Sequence, residues 1–439
     1  MYPNLYYAFK DLFGVNWNGL RFINSFGFFV ALSFLAAAYV LTLELKRKER
    51  AGLLTGQDVK MTVGKEASAG ELLLNFFLGF LLGYKIIGLF ISGSATSDPQ
   101  QFIFSSDGNW PIGLSLGILF AGLKWWEKHK QKLDKPEERT IRIWPHDRVG
   151  DLVIYAALFG FLGAKIFHNL ENWQDFKENP IEALLSFSGL TFYGGLICAA
   201  VAIWFYARKH KISFTLLCDA VAPALILAYS LGRIGCQVAG DGDWGILNSA
   251  YVTEPGNTSK VQLADTARFQ STLQSHSNFY LRTFQANNIS EIPHASVKAP
   301  GWLPNWLFAY SYPHNVVNEG AHIPGCEGDQ YCNQLPVPVF PTPFYETIIS
   351  FFLFLFLWSM RKKLKAPGTL FGLYLIVNGI ERFFVEQIRV NTKYSIFGFH
   401  PTQAEIIAVL LVIGGATLYI IMKKKYALKQ NTERKTQNV

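Results

Sequence analysis

Apolar residues run along this chain in long unbroken blocks, not in the alternating or 3.6-periodic stripes of a soluble fold. Nine blocks approach the roughly 20 residues needed to cross hydrocarbon, at about 22–43, 71–91, 110–126, 150–170, 189–207, 216–237, 343–360, 368–389 and 402–422. Each predicts a spanning helix, so the expected fold class is an all-α polytopic membrane protein with about nine transmembrane helices. The first block is longer than the apolar region of a signal peptide and lacks its cationic start and small-residue cleavage site, so it reads as a retained span.

The polar connections set the expected orientation. Lys46, Arg47, Lys48, Arg50, Lys60 and Lys65 follow the first block, and a second basic run from Lys124 to Arg148 follows the third. Later clusters at Arg208–Lys211 and Arg361–Lys365, and the tail from Lys423, again follow an odd number of spans, whereas 92–109 holds no Lys or Arg. The positive-inside rule then places the N-terminus outside and the C-terminus inside. Five segments follow: 1–149 with three spans, 150–237 with three more, an outward loop domain at 238–342, 343–422 with the last three, and a basic tail at 423–439. Cys326 and Cys332 fall in the outward loop, where an oxidising compartment would suit a disulfide, although unpaired thiols fit the spacing equally.

Composition narrows the class. Half of the 439 residues are hydrophobic, 15% are aromatic and only 16% are charged, with a mean hydropathy of +0.18. Neither a soluble surface nor a disordered chain has that balance. The net charge of +8 could suggest nucleic acid, but the basic residues cluster at the ends of apolar blocks, so no nucleic-acid partner is expected. A repeat also shows: Glu71-Leu72, Gly83 and Lys85 recur 80 residues later as Asp151-Leu152, Gly163 and Lys165, as if the second and third spans were an added copy of the fourth and fifth.

Charged groups inside spans are costly and mark candidate sites. Here they gather at one expected depth, near the outer leaflet: Arg233 with GRIGCQVAGDGDWG, Lys165 and His168, Tyr193-Gly194-Gly195, Tyr345-Glu346, His400 with Gln403, and Arg382, Glu386 and Arg389. A transporter would hold such groups near the midplane; an enzyme acting on outer-leaflet lipid needs only a pocket at the interface. Arg382, Glu386 and Arg389 at i, i+4 and i+7 are expected on one helix face, with one arginine paired to Glu386 and another free for an anionic head group, or else all three in a salt-bridge cluster. Arg233 between Gly232 and Gly235, with Gly240 following, offers a planar fork that matches phosphate oxygens where backbone can approach closely. The His residues form no cluster at metal-ligand spacing and no nucleotide-binding glycine loop stands out, so neither metal nor cofactor is expected.

SLGRIGCQVAGDGDWG resembles the arginine-and-glycine signature of bacterial prolipoprotein diacylglyceryl transferases. INSFGFFVALSF, GAKIFHNLE, LTFYGGLI, FPTPFYETI and GIERFFVEQIR agree with that family in order. The resemblance covers the first span and everything from about 150 to 422. It implies transfer of the diacylglyceryl group of phosphatidylglycerol to the lipobox cysteine of prolipoprotein signal peptides, in the bacterial inner membrane, with membrane lipid around it. By the same resemblance Arg233 and Arg382 are the essential arginines, Glu386 is the carboxylate beside the second, and Asp241 or Asp243 is the acidic residue closing the signature. Gly194, Gly195, Gly232, Gly235, Gly240, Lys165, Glu346 and Arg389 would line the substrate. Many members have His where Tyr193 stands, Arg for Lys165, Asn for Cys236 and Tyr for Phe26. The base that takes the thiol proton is thus open among Tyr193, His168 and a lipid phosphate oxygen. The alternatives are a lipid or anion transporter, or an inactive relative that binds signal peptides.

Overall fold

The computed structural model describes residues 1–91, 102, 105–185, 191–254, 260–327, 330–390, 394 and 400–437. Its helices are α1 (Leu5–Phe13), α2 (Ser25–Arg50), α3 (Ala69–Ile91, with a π-helical turn at Leu82–Ile87), α4 (Trp110–Lys130), α5 (Val149–Glu171), α6 (Phe192–Lys209), α7 (Phe214–Ala239), α8 (Thr342–Met360), α9 (Thr369–Glu386) and α10 (Gln403–Gln437), besides shorter ones. A helix stands in each of the nine apolar blocks.

Six of the described helices are long and apolar enough to cross a membrane: α2, α3, α5, α7, α8 and α10. Their outward side chains, such as Leu73, Phe77 and Leu81 on α3 and Leu410, Ile413 and Ile421 on α10, are exposed, as a lipid environment requires. The protein is a multi-pass membrane protein. The other three blocks are diluted by polar groups: Lys124 and Glu127 in α4, Arg208 and Lys209 in α6, and Glu381, Arg382 and Glu386 in α9.

Contacts divide the chain into two units, Met1–Asn16 with Ile23–Leu41 and Thr215–Val439, and Trp17–Phe22 with Thr42–Phe214. The second holds two helix pairs, α3 with α4 and α5 with α6. They are built alike. Each opens on an acid that reaches its partner helix: Glu71 to Lys128 at 3.3 Å, and Asp151 to the Tyr206 hydroxyl. Each crosses at a glycine, where a Cβ on Gly83 would stand 2.6 Å from the Ile112 carbonyl and one on Gly163 2.5 Å from that of Gly194. Each is pinned by the N-cap residue of the second helix, Asn109 N–H donating to the Tyr84 carbonyl at 3.0 Å and Thr191 N–H to the Ala164 carbonyl at 3.1 Å. The two pairs thus share three contacts in equivalent places.

The basic loops around the first pair are not loops throughout. β1 (Gln57–Val63) and β2 (Glu137–Ile143) pair antiparallel from Gln57↔Ile143 to Val63↔Glu137. Just outside the ribbon, Glu49 accepts from the His146 backbone N–H at 2.9 Å and contacts its Nδ1 at 2.6 Å. Residues 57–143 therefore leave and return at one place.

The first unit holds α1, α2 as far as Leu41, α7 to α10 and the segment between α7 and α8, which has a core of its own: Trp244, Leu247, Phe269, Leu273, Tyr280, Ile292, Tyr312, Leu335, Val337 and Val339. Cys326 and Cys332 are disulfide-bonded. α10 runs on through the basic tail to Gln437, because MKKKYALKQNTERKTQ has no Gly or Pro and is rich in helix formers.

Candidate functional site

α7 carries the centre of the site and is joined to α8 and α9 at both ends. Near its start the buried Asp219 carboxylate accepts from the backbone N–H groups of Gly368 at 2.7 Å and Phe371 at 2.8 Å, satisfying orphan donors at the first turn of α9. One turn before Arg233, Ser230 Oγ donates to the Thr347 carbonyl at 2.9 Å, bringing α8 alongside.

This crossing presents Glu346, whose side chain is 0% exposed, to three guanidiniums. Arg233 Nε lies 3.0 Å from its Oε2, while Arg382 Nη1 at 3.3 Å and Arg389 Nη1 at 3.2 Å reach Oε1. Tyr229 also donates its hydroxyl to Oε1 at 2.9 Å and lies under the Arg233 guanidinium, 5.2 Å from ring centroid to Cζ. Asp243 bonds Arg233 and accepts from Arg389 Nη2 at 2.8 Å. Glu386 pairs with Arg382 at 3.0 Å and accepts from Thr402 Oγ1 at 2.8 Å. Arg233 Nη1 is 3.6 Å from Cys236 Sγ.

The arrangement corrects one expectation. Arg382 and Glu386 share a helix face, but α9 ends at Glu386 and Arg389 lies beyond it. Its backbone there follows a short pairing in which Ile246 N–H donates to the Ile388 carbonyl at 2.9 Å and Gly245 bridges Arg389, and this carries Arg389 to Asp243. None of the three arginines is unpaired, and Arg389 is only 10% exposed.

The glycines divide by role. Gly240 and Gly242 turn the chain out of α7 at φ +65° and +96°, where other residues are strained, and a Cβ on Gly245 would meet the Ile388 carbonyl at 2.6 Å. Gly235 packs on Phe26 and Phe29 of α2, whereas Gly232 faces open space. Gly194 and Gly195 serve the α5–α6 crossing, against Phe167 and Gly160 respectively.

Lys165, His168 and Tyr193 belong to the second unit. Lys165 is buried, and its counterpart 80 residues earlier, Lys85, donates to the carbonyls of Ser105 at 2.5 Å and Asp107 at 2.6 Å in the connection after its helix. His168 Nδ1 contacts Asn172 Nδ2 at 3.2 Å, and Tyr193 is half-buried in the first turn of α6. His400 and Gln403 are exposed.

Two members escaped the sequence reading. Tyr229 gave no signal, since a tyrosine in an apolar span is ordinary. Glu381 did: it is a carboxylate inside a span, buried, and without a hydrogen-bond partner on either oxygen among the described residues. Following the i, i+4, i+7 face from Arg382 passed over it.

The electrostatics suit an anion better than a metal. Cys236, Asp241 and Asp243 place ligand atoms within 4.8 Å of one another, but Asp243 is already held between two guanidiniums that oppose a cation. Burial pushes the Asp243 carboxyl up, yet Arg389 and Arg233 outweigh it and hold it below the usual carboxylate range. Asp241 is raised, first by burial and then by Asp243. Each guanidinium carries five N–H donors, and the contacts above use only part of them. What remains can grip a second oxyanion beside Glu346 in forked geometry.

The family model described as prolipoprotein diacylglyceryl transferase matches residues 110–421. That match enters at α4, earlier than the motifs suggest, and leaves the first span outside. A phosphatidylglycerol–prolipoprotein diacylglyceryl transferase of Leptospira interrogans is 24% identical over 386 residues, 76% of this chain and 95% of the relative. A Clostridium perfringens protein of that name, numbered 2, is 26% identical over 65% of this chain and 83% of its own, and one from Staphylococcus haemolyticus is 26% identical over 64% and 75%.

Proposed function

Since the chain belongs to the prolipoprotein diacylglyceryl transferase family, we propose that it is the enzyme that moves the diacylglyceryl group of phosphatidylglycerol onto the lipobox cysteine of prolipoproteins. The observation that carries the reading is the convergence of Arg233, Arg382 and Arg389 on the single buried carboxylate of Glu346, with guanidinium donors left over. A phosphodiester is the matching anion.

The substrate thiol loses its proton, and the thiolate sulfur attacks the glyceryl carbon that bears the phosphate. A carbon–sulfur bond forms, the carbon–oxygen bond to phosphate breaks, and its electron pair leaves with glycerol phosphate. Negative charge grows on that departing oxygen, so Arg233 and Arg382, already oriented by Glu346 and Glu386, stabilise the transition state more than the ground state. Arg389 holds Asp243 and the backbone of Gly245 in place. Tyr193 and His168 are the candidates to receive the thiol proton, beside a phosphate oxygen of the lipid.

In this reading all nine apolar helices span the inner membrane, with the N-terminus outside, the C-terminus inside and the 238–342 domain facing outward, so the site meets the outer leaflet. The test uses purified protein with phosphatidylglycerol and a lipobox peptide, followed by mass spectrometry. A peptide heavier by one diacylglyceryl group, absent when Arg233 is changed to Ala, is the expected product. An unmodified peptide, or lipid merely moved across vesicles, would favour a transporter instead.

A further inference from the structure

The two faces of the β1–β2 ribbon differ in character. Residues opposite each other share a face and successive residues alternate, so the register places Val59, Met61 and Val63 with Ile141 and Ile143 on one side. Asp58, Lys60 and Thr62 with Glu138, Thr140 and Arg142 fall on the other. Gln57 begins the apolar side, and the ion pair of Arg139 and Glu137, at 3.1 Å, ends it. Met61 is 46% and Ile141 40% exposed, and the two strands pack on each other more than on any other described element. A two-stranded ribbon with a bare apolar face is marginal at best in water.

Ties at both ends fix how the ribbon lies, and all of them fall within the second unit. At the Gln57–Ile143 end, Glu49 in the last turn of α2 holds His146, and Gln57 Nε2 donates to the His210 carbonyl just past α6. At the Val63–Glu137 end, Leu133 N–H donates to the Gly64 carbonyl at 3.2 Å and Lys132 pairs with Glu66. That end adjoins the start of α3 and the end of α4, which Glu71 and Lys128 join. No connection between the ribbon and these helices exceeds six residues. At roughly 3.4 Å per residue the ribbon is about 20 Å from end to end, a step of about two helix diameters. It therefore runs from the ends of α2 and α5 to those of α3 and α4. Since α2, α3 and α5 are long and apolar enough to cross a membrane, a ribbon strung between their ends lies along the bilayer surface, with one face toward lipid and the other toward water.

We propose that β1–β2 is a membrane-docking ribbon: its apolar face seats in the headgroup layer of the leaflet where these helices end, and the cations around it bind anionic lipid there. Charge supports this occupant. Residues 44–66 and 124–148 carry fourteen Lys and Arg against nine Asp and Glu, a balance that an anionic leaflet attracts. Trp125 and Trp126, each 53% exposed near the end of α4, belong to the residue type that settles at headgroup level. Arg139, at the tip of the apolar face, can reach phosphate along its own stem. The proposal depends only on the spans and holds whether or not the chain transfers lipid.

The test places the photoreactive residue benzoylphenylalanine at Met61 or Ile141 on one face, and at Lys60 or Thr140 on the other. The full chain is reconstituted in vesicles of phosphatidylcholine and phosphatidylglycerol. Illumination should add lipid at Met61 and Ile141 about tenfold more often than at Lys60 and Thr140, because alternate side chains face opposite ways. Equal addition on the two faces, no addition, or a crosslink from Met61 to a second copy of the chain would overturn the assignment. Hydrogen exchange gives a readout that needs no inserted group. The amides of 57–63 and 137–143 should exchange about tenfold faster when Met61→Glu and Ile141→Glu are combined, with those of α3 and α4 unchanged. In the unaltered protein they should slow when phosphatidylglycerol replaces part of a pure phosphatidylcholine bilayer. Exchange indifferent to both changes would show that lipid does not hold this face.

Discussion

Glu346 is the residue on which the charged cluster depends, because it is fully buried and faces three guanidiniums. Arg233 is the group that a compact cation cannot replace, since an ammonium cannot reproduce its forked contacts. Arg233→Lys is expected to lower the diacylglyceryl transfer rate by roughly 10²–10³, the scale of losing one preorganised donor, with the protein still folded. A wild-type rate in that variant would move the phosphate site elsewhere. Asp243 and Asp241 should respond to pH in opposite senses. The folded value of Asp243 lies below the 3.8 of a free aspartate, so its stabilisation is complete above 3.8 and is lost only as pH falls through the lower folded value. The folded value of Asp241 is raised, so its charged form costs stability at neutral pH and that cost fades as pH falls through the raised value toward 3.8. Thermal melts in detergent should show Asp243→Asn destabilised at pH 7 by roughly 1–2 kcal/mol, less than a fully buried pair because its side chain is 40% exposed. Asp241→Asn should match or exceed the parent at pH 7 and lose that margin in acid. The charges themselves were legible, since few side chains other than functional ones stand in apolar spans. Their pairing was not: Arg233 and Glu346 are 113 residues apart, and no local pattern announces which carboxylate a guanidinium will meet.

Helices were the most legible elements, because hydrocarbon thickness imposes a length that can be counted in the sequence. The ribbon β1–β2 was not, since QDVKMTV and EERTIRI carry the charge of loops and each gains a strand partner only once the chain between them has folded. Gly194 and Gly195 are expected by resemblance to line the substrate, and packing gives them a second role that the sequence does not announce: a Cβ on Gly194 would stand 2.4 Å from that of Phe167, so Gly194 makes room for the neighbouring helix. Gly194→Ala is therefore expected to cost roughly 1–3 kcal/mol as overpacking, whereas Gly27→Ala, with nothing within 4 Å, should be neutral or slightly stabilising. Equal melting temperatures for the two variants would remove the packing account of the α5–α6 crossing.

For the whole molecule the exposed claim is orientation. A reporter fused after Lys425 should be active only in its cytoplasmic form, and one inserted near Ser275 only in its exported form; the reverse pattern would put the arginine cluster on the inner leaflet. The 57–143 excursion gives a second test. Gln57 and Ile143 are paired, and antiparallel partners lie about 5 Å apart at their Cα atoms, so a few Gly and Ser residues can join the cut ends. Removing the excursion should leave a protein that inserts in the membrane and transfers lipid, and loss of insertion would show that the first helix pair is integral to the fold. The same closed ribbon carries an arithmetical consequence. A path that departs and returns at one face of a membrane must cross it an even number of times, so parity alone keeps each later residue on the side it would occupy without the detour. An excursion closed in this way could thus be gained or lost in a single event, with no need to rewrite the charges that orient everything downstream.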